Sequence, residues 1–196
     1  MTIIAIPYFT GSGHTRKLAE LVSEGIRSVS DSVSDVEVEL INIENLNSTP
    51  WEKLHRADAI IFASPTYMGS VAGPFKSFID KTSDFWIEQK WADKIAAGIT
   101  VGTSASGDKL NVLVQMSLFA AQHGMIWVGQ NHIGSKYTND GQKINEDGSW
   151  LGLIAQSDRD KSKLIVDHDA QTAKLFGKRV AKAALRWSEQ PKHQPN

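Results

Sequence analysis

Three times along this chain a short apolar run ends in a loop of small polar residues, and a helical apolar stripe follows. That recurrence restricts the chain more than any other feature, because strands separated by helices pair in parallel and need cover on both faces. Ile3-Ile4-Ala5-Ile6 runs into Pro7, Tyr8 and Phe9, then Thr10-Gly11-Ser12-Gly13-His14-Thr15, then Leu18, Leu21, Val22, Ile26 and Val29 at helical spacing. Ala57 to Ala63 repeats the pattern: Ser64-Pro65-Thr66-Tyr67-Met68-Gly69 breaks the strand, and Phe75, Phe78 and Ile79 set a helix face with Pro74 in its first turn. Ile95 to Val101, Thr103 to Asp108, and the stripe Leu110, Leu113, Val114, Leu118 and Ala121 form the third unit. Val36 to Ile43 alternates like a strand near a sheet edge, and Met125 to Val128 supplies a fifth strand. Five parallel strands joined by right-handed crossovers place all three polar loops beyond the strands' carboxyl ends, where ligands bind in such sheets.

The 196 residues suit one domain, expected over 1–190 with 191–196 as a frayed tail. From Gly129 to Asp167 the periodicity fails, and Asn139-Asp140-Gly141 and Glu146-Asp147-Gly148 offer turns, so this stretch reads as a long excursion. A last helix follows with Leu175, Phe176, Val180, Ala184 and Leu185 inward. The chain has no cysteine, which excludes thiolate chemistry, and no metal site is assigned; redox work would need a borrowed cofactor. A net charge of −1 offers no basic field for a phosphate backbone, so nucleic acid is not an expected partner. The apolar run at the start is too short for a membrane span and lacks the basic start of a signal peptide; no membrane insertion and a cytoplasmic location are expected.

The loops suggest a mononucleotide. Thr10 to Thr15 combines hydroxyls, glycines that admit close approach, and a helix N-terminus, which together can bind a phosphate without the lysine of a triphosphate loop. The plainer alternative is a helix capped by Thr10 or Ser12. Arg16 and Lys17 read as solvated helix residues. In the second loop Thr66, Tyr67 and Met68, between Pro65 and Gly69, offer flat and polarisable surface to a ring. An isolated tyrosine can equally be packing. Thr103-Ser104-Ala105-Ser106-Gly107 could meet a polar ring edge, with Asp108 either joining it or capping the next helix. His123 is either a dipole partner at a helix end or a group aimed into the ligand site, and Trp86 either walls an aromatic pocket or belongs to the core.

Taken in order, Tyr8 to Thr15, Ser64 to Asp80 and Gln122-His123-Gly124-Met125 resemble the flavodoxin-like family, most closely its WrbA-type NAD(P)H:quinone oxidoreductases and NADPH-dependent FMN reductase-like members. The resemblance runs from the start to about Gly129, and Gly148-Ser149-Trp150-Leu151-Gly152 is similar to a family excursion. It implies a three-layer sandwich with strand order 2-1-3-4-5. It also implies FMN, with its phosphate on Thr10, Gly11, Ser12, Gly13, His14 and Thr15, its isoalloxazine against Pro65, Thr66, Tyr67, Met68 and Gly69, and its ribityl or pyrimidine side on Thr103, Ser104, Ala105, Ser106 and Gly107. His123 takes the position of a flavin-site histidine, and Tyr67, Trp86 and His123 would shape the substrate pocket. Tyr67 and Met68 stand where the WrbA-type pattern usually carries Arg and Phe, and the third loop has fewer glycines.

The activity this implies is transfer of two electrons from NADH or NADPH through FMN to a quinone-like acceptor, with the cofactor carrying the chemistry and no catalytic side chain assigned. The alternative is a flavodoxin-type electron carrier between protein partners. The excursion and the scattered Trp127, Trp150 and Trp187 are compatible with a homo-dimer or homo-tetramer.

Overall fold

In the computed structural model, residues 1–30, 36–134, 137, 141, 143–160 and 162–188 are described. Strand β1 (Thr2–Tyr8) leads to helix α1 (His14–Ser30), and β2 (Val36–Asn42) is followed by a short 3-10 turn and helix α2 (Trp51–Arg56). Next come β3 (Ala59–Tyr67), β4 (Ser70–Val71), α3 (Gly73–Lys81), the one-turn α4 (Ser83–Trp86), β5 (Ile95–Gly102) and α5 (Lys109–Gln122). The chain ends with β6 (Ile126–Trp127), β7 (Leu153–Gln156) and α6 (Asp167–Ser188). The sheet runs β2-β1-β3-β5-β6 with these pairs parallel, in agreement with the expected order.

Its fifth position is not one strand. β6 pairs with Ile95 and Ala96 only, the excursion departs, and β7 returns to pair with Ile99 to Gly102. Trp127 bridges the break: its ring lies over Gly98, where a Cβ would come within 2.8 Å of it, and its Nε1 donates to Leu151 O at 2.7 Å. Within the excursion, Asn145 Nδ2 donates to His132 O, and its backbone N–H donates to Thr172 on α6. The expected tail at 191–196 lies outside the described residues, as do Asn139 and Asp140 of the first excursion turn.

The second loop is shorter than expected because β3 continues through Pro65 to Tyr67. Pro65 is buried and paired with Val101 on β5. On the opposite side the last bond from β1 is Phe9 N–H to Ala63 O, so the N–H that proline lacks falls where the neighbouring strand has already ended. β3 then reverses into β4 through Met68 and Gly69, both at positive φ (48° and 73°), a two-residue turn of the kind that suits the twist of antiparallel strands.

Two cores flank the sheet. One is aliphatic, where α1 and α6 meet Ile4, Ile6, Ile61 and Ile99; the other is aromatic, where Phe62, Phe75, Phe78, Trp91 and Phe119 pack on the opposite face. Of the expected stripe on α5, Leu113 alone turns inward. Val112, Leu113, Met116, Phe119 and Ala120 turn inward, while Leu110, Val114, Leu118 and Ala121 are exposed. Both stripes are apolar at helical spacing; the inward one meets the bulky aromatic core. In α6, Phe176, Val180 and Ala184 are buried as expected, with Leu175 and Leu185 at the margin.

Candidate cofactor-binding site

The three loops gather beyond the carboxyl ends of β1, β3 and β5. Thr10 sets the first: its Oγ1 accepts from the N–H groups of Gly13 (3.1 Å) and Arg16 (3.4 Å), so it caps the turn into α1. Gly13 has φ 91°. The N–H groups of Gly11, Ser12, His14 and Thr15 have no acceptor among the described residues. Thr15 is 1% exposed, and its Oγ1 has no partner there either. Free main-chain donors at the positive end of a long helix, beside a buried hydroxyl without a bond, are chemically suited to a phosphate. The capping role and the phosphate role therefore coexist in one loop.

The hairpin stands beside it. Tyr67 places its hydroxyl against Gly11, where a Cβ would sit 2.2 Å from that oxygen. Met68, at the apex, is fully exposed. Three contacts hold the hairpin: Thr66 Oγ1 with Thr100 Oγ1 at 2.8 Å, Asn111 Nδ2 donating to Gly69 O at 2.6 Å, and Ser70 Oγ donating to Gln115 Oε1 at 3.0 Å. Residues Thr103 to Asp108 of the third loop are exposed. The loop is tied to β7 by Gln156 Nε2 donating to Thr103 O at 2.9 Å. Asp108 stands at the N-cap position of α5 with φ 55°, but its side chain makes none of the cap bonds expected of it. Leu164, also at positive φ, brings its Cδ1 to 3.6 Å from where a Cβ on Gly13 would stand.

Two expected site residues lie elsewhere in the chain. α5 begins at the third loop and runs back along the sheet, so its far end is about 20 Å away at 1.5 Å per residue. His123 closes that far end, 2% exposed, with Nε2 bonded to Thr82 Oγ1 at 2.9 Å and its ring among Phe85, Trp91 and Phe119. Burial holds its imidazole below the ordinary histidine range. Trp86 is beside it, with Nε1 donating to Gln122 O at 2.7 Å. Tyr67, Trp86 and His123 therefore do not line one pocket within a single chain, and Pro65 is a buried strand residue. The reason is that a helix returning antiparallel to its strand carries its last residues away from the loops where it began.

Sequence reading missed a charge cluster next to the third loop, built on the buried Lys109 and Asp169 with Asp147 at the surface. Lys109 is 0% exposed, donates from Nζ to Ala155 O at 3.0 Å and lies 3.8 Å from Asp147 Oδ2. Burial lowers its pKa, and Asp147 and Asp169 oppose that shift. Asp169, also buried, accepts from Gln156 N–H at 2.7 Å, and burial raises its pKa. The cluster ties α5, the excursion and α6 to β7. The available signal was Lys109 itself, the one charge in a helix that is otherwise uncharged from Leu110 to Gln122.

A doubly flanked parallel sheet with these loops at its carboxyl edge defines a class, the flavodoxin-like α/β proteins. The sequence pattern of the family described as NADPH-dependent FMN reductase matches residues 1–140. The chain is 35% identical over 184 residues to Flavodoxin FldP of Pseudomonas aeruginosa, covering 93% of this chain and 96% of that protein. It is 31% identical over 201 residues to an NAD(P)H dehydrogenase (quinone) of Archaeoglobus fulgidus, covering 94% and 98%. Among solved structures, the flavodoxin, WrbA-like protein from Agrobacterium tumefaciens superimposes with a TM-score of 0.73 at 34% identity, covering 95% of this chain and 99% of that one. This chain belongs to the NADPH-dependent FMN reductase family, and so to the flavin-linked oxidoreductases.

Proposed function

We propose that the protein binds FMN and passes two electrons from NADH or NADPH to a quinone or similar aromatic acceptor. The observation that carries this reading is the first loop, where four free N–H groups and the buried Thr15 hydroxyl fit the dianionic phosphate of a mononucleotide. Thr10 shapes that loop, and Gly11, Ser12, Gly13, His14 and Thr15 hold the phosphate. Thr66, Tyr67, Met68 and Gly69 face the ring, and Thr103 to Gly107 take its ribityl or pyrimidine side. Bound FMN supplies the hydride-accepting and electron-donating chemistry. The chain's part is to orient the ring against a hairpin pinned to α5, and to leave an apolar approach at Met68 for a flat partner.

The homo-dimer or homo-tetramer reading draws support from α5. Its exposed Leu110, Val114 and Leu118 form a straight i, i+4, i+8 ridge without a charge, and an identical uncharged face on a second copy complements it. Among the described residues no helix is long and apolar enough to cross a membrane. The same reading places the protein in the cytoplasm and gives it no nucleic-acid partner.

The test is an anaerobic titration of the FMN-loaded protein with NADH and with NADPH, followed by benzoquinone. Full bleaching of the flavin band and fast recovery on adding quinone is the expected result. Likeness to Flavodoxin FldP favours a second reading, an electron carrier between proteins. That reading prevails if FMN binds but neither nicotinamide bleaches it, and absence of FMN binding defeats both.

A further inference from the structure

The outer face of α6 carries charge that nothing in the cofactor site explains. Lys178, Arg179, Lys182 and Arg186 line a cleft of about 350 Å³ together with Asn131, His132, Leu175 and Ala183. Lys178, Lys182 and Arg186 recur at i, i+4 and i+8, so like charges face each other across successive turns, a repulsive arrangement in an isolated helix. No carboxylate lines the cleft, and none of the four cations has an ion-pair partner among the described residues. Lys174, one turn earlier on the same helix, shows the ordinary solution by pairing with Glu24 at 2.8 Å. Favourable interaction with the helix dipole accounts for Arg186 in the last turn, but not for Lys178 or Lys182 in the helix interior.

The cleft is also partly preorganised. Arg179 donates from Nε to Gly129 O at 2.6 Å, which holds its guanidinium at the cleft edge, and its terminal nitrogens have no partner among the described residues, leaving them for a forked contact. His132 is half-buried opposite; burial first, and then the charge of Arg179, holds its imidazole below the ordinary range. Asn131 adds an amide. A chain with a net charge of −1 has thus concentrated four cations, without ion-pair partners among the described residues, around a space of small-ligand size.

We propose that this cleft is a second ligand site, which binds a small polyanion carrying a pyrophosphate group. Two linked phosphates match cations spread over two helical turns better than a single phosphate does. The site is separate from the FMN phosphate loop: α6 starts at Asp167, close to β7, and at 1.5 Å per residue Lys178 lies about 16 Å and Arg186 about 28 Å further along the helix. It does not depend on the flavin assignment. Free pyrophosphate and a nucleoside diphosphate present the same group, and the measurement separates them.

The experiment is calorimetric titration of FMN-saturated protein, in which the first loop is already occupied, with inorganic pyrophosphate and separately with ADP. One-to-one binding that weakens with added salt is expected, falling roughly tenfold or more in Lys182→Glu and in Arg186→Glu and unchanged in Lys81→Glu on the other side of the molecule. An unchanged circular dichroism spectrum shows that each variant is folded, whether or not FMN is bound; should charge reversal disturb α6, the paired Lys178→Gln and Lys182→Gln variant must show the same loss. Tighter binding of ADP identifies a nucleoside diphosphate, and tighter binding of pyrophosphate identifies the free anion. No binding of either, or equal weakening in Lys81→Glu, overturns the proposal.

Discussion

The hydroxyl of Tyr67 occupies the space that a β-carbon on Gly11 would need, 2.2 Å from where that carbon would stand. The first loop and the hairpin are therefore positioned by one contact, and the hairpin cannot simply retreat, because Asn111 and Gln115 of α5 hold it. Gly11→Ala is expected to displace Tyr67 and weaken FMN binding by roughly tenfold or more, about 1.4 kcal/mol. Adding Tyr67→Phe, which removes the obstructing oxygen, should recover part of that loss. FMN fluorescence titration of both single variants and the double variant measures the coupling, and strictly additive effects would contradict it.

Thr15 makes a prediction of opposite signs. Its buried hydroxyl lacks a partner among the described residues, so Thr15→Val removes a desolvated polar group at little change in volume. The FMN-free protein should be as stable or more stable, by up to about 1–3 kcal/mol in urea unfolding. FMN affinity should fall by roughly tenfold, because the proposed site gives that hydroxyl the phosphate as its partner. A variant that lost stability and kept its affinity would show that Thr15 has no part in the site.

The uncharged ridge of α5 gives a test of assembly. Leu118→Glu places a charge at one end of the ridge on an exposed position, where the isolated fold should tolerate it within about 0.5 kcal/mol. Sedimentation velocity is expected to show a smaller species than the parent protein with an unchanged circular dichroism spectrum. An unchanged mass would exclude this ridge as the contact.

Histidine burial sets the direction of the pH dependence. His55, His123 and His132 are each held below the ordinary range, with burial the leading cause. Below an unfolded value of about 6.5 the unfolded chain binds more protons at these positions, so stability is lost as pH falls through that range. Asp169 acts in the opposite sense: its raised pKa means that the folded state holds a proton the unfolded state has released, so its contribution falls as pH rises above the ordinary carboxylate range. Urea unfolding between pH 7.5 and pH 5.5 should show declining stability, and His123→Gln should reduce the slope. The same slope in that variant would mean His123 does not contribute.

The common placement of the three candidate loops was legible in sequence because each loop immediately follows its strand. A parallel sheet sends successive strand ends to one edge whatever the details of packing, so Thr10 to Thr15, Thr66 to Gly69 and Thr103 to Gly107 could be grouped from pattern alone. Pro65 was misplaced for a local reason: a proline usually ends a strand, and only the early end of β1 lets β3 accommodate one.

What the linear chain determined, then, was the alternation of strands and helices, the sheet order through the resemblance, and the loops at the strand ends, all consequences of periodicities carried by neighbouring residues. What the tertiary structure decided was which of two apolar faces of α5 turned inward, that Trp127 would bridge a divided edge strand, that Lys109, Asp147 and Asp169 would meet, and that Trp86 and His123 would lie at the opposite end of α5 from Tyr67. Those outcomes depend on contacts between residues distant in sequence. They are set by the volume and shape of the core that each side chain meets, which local periodicity does not encode.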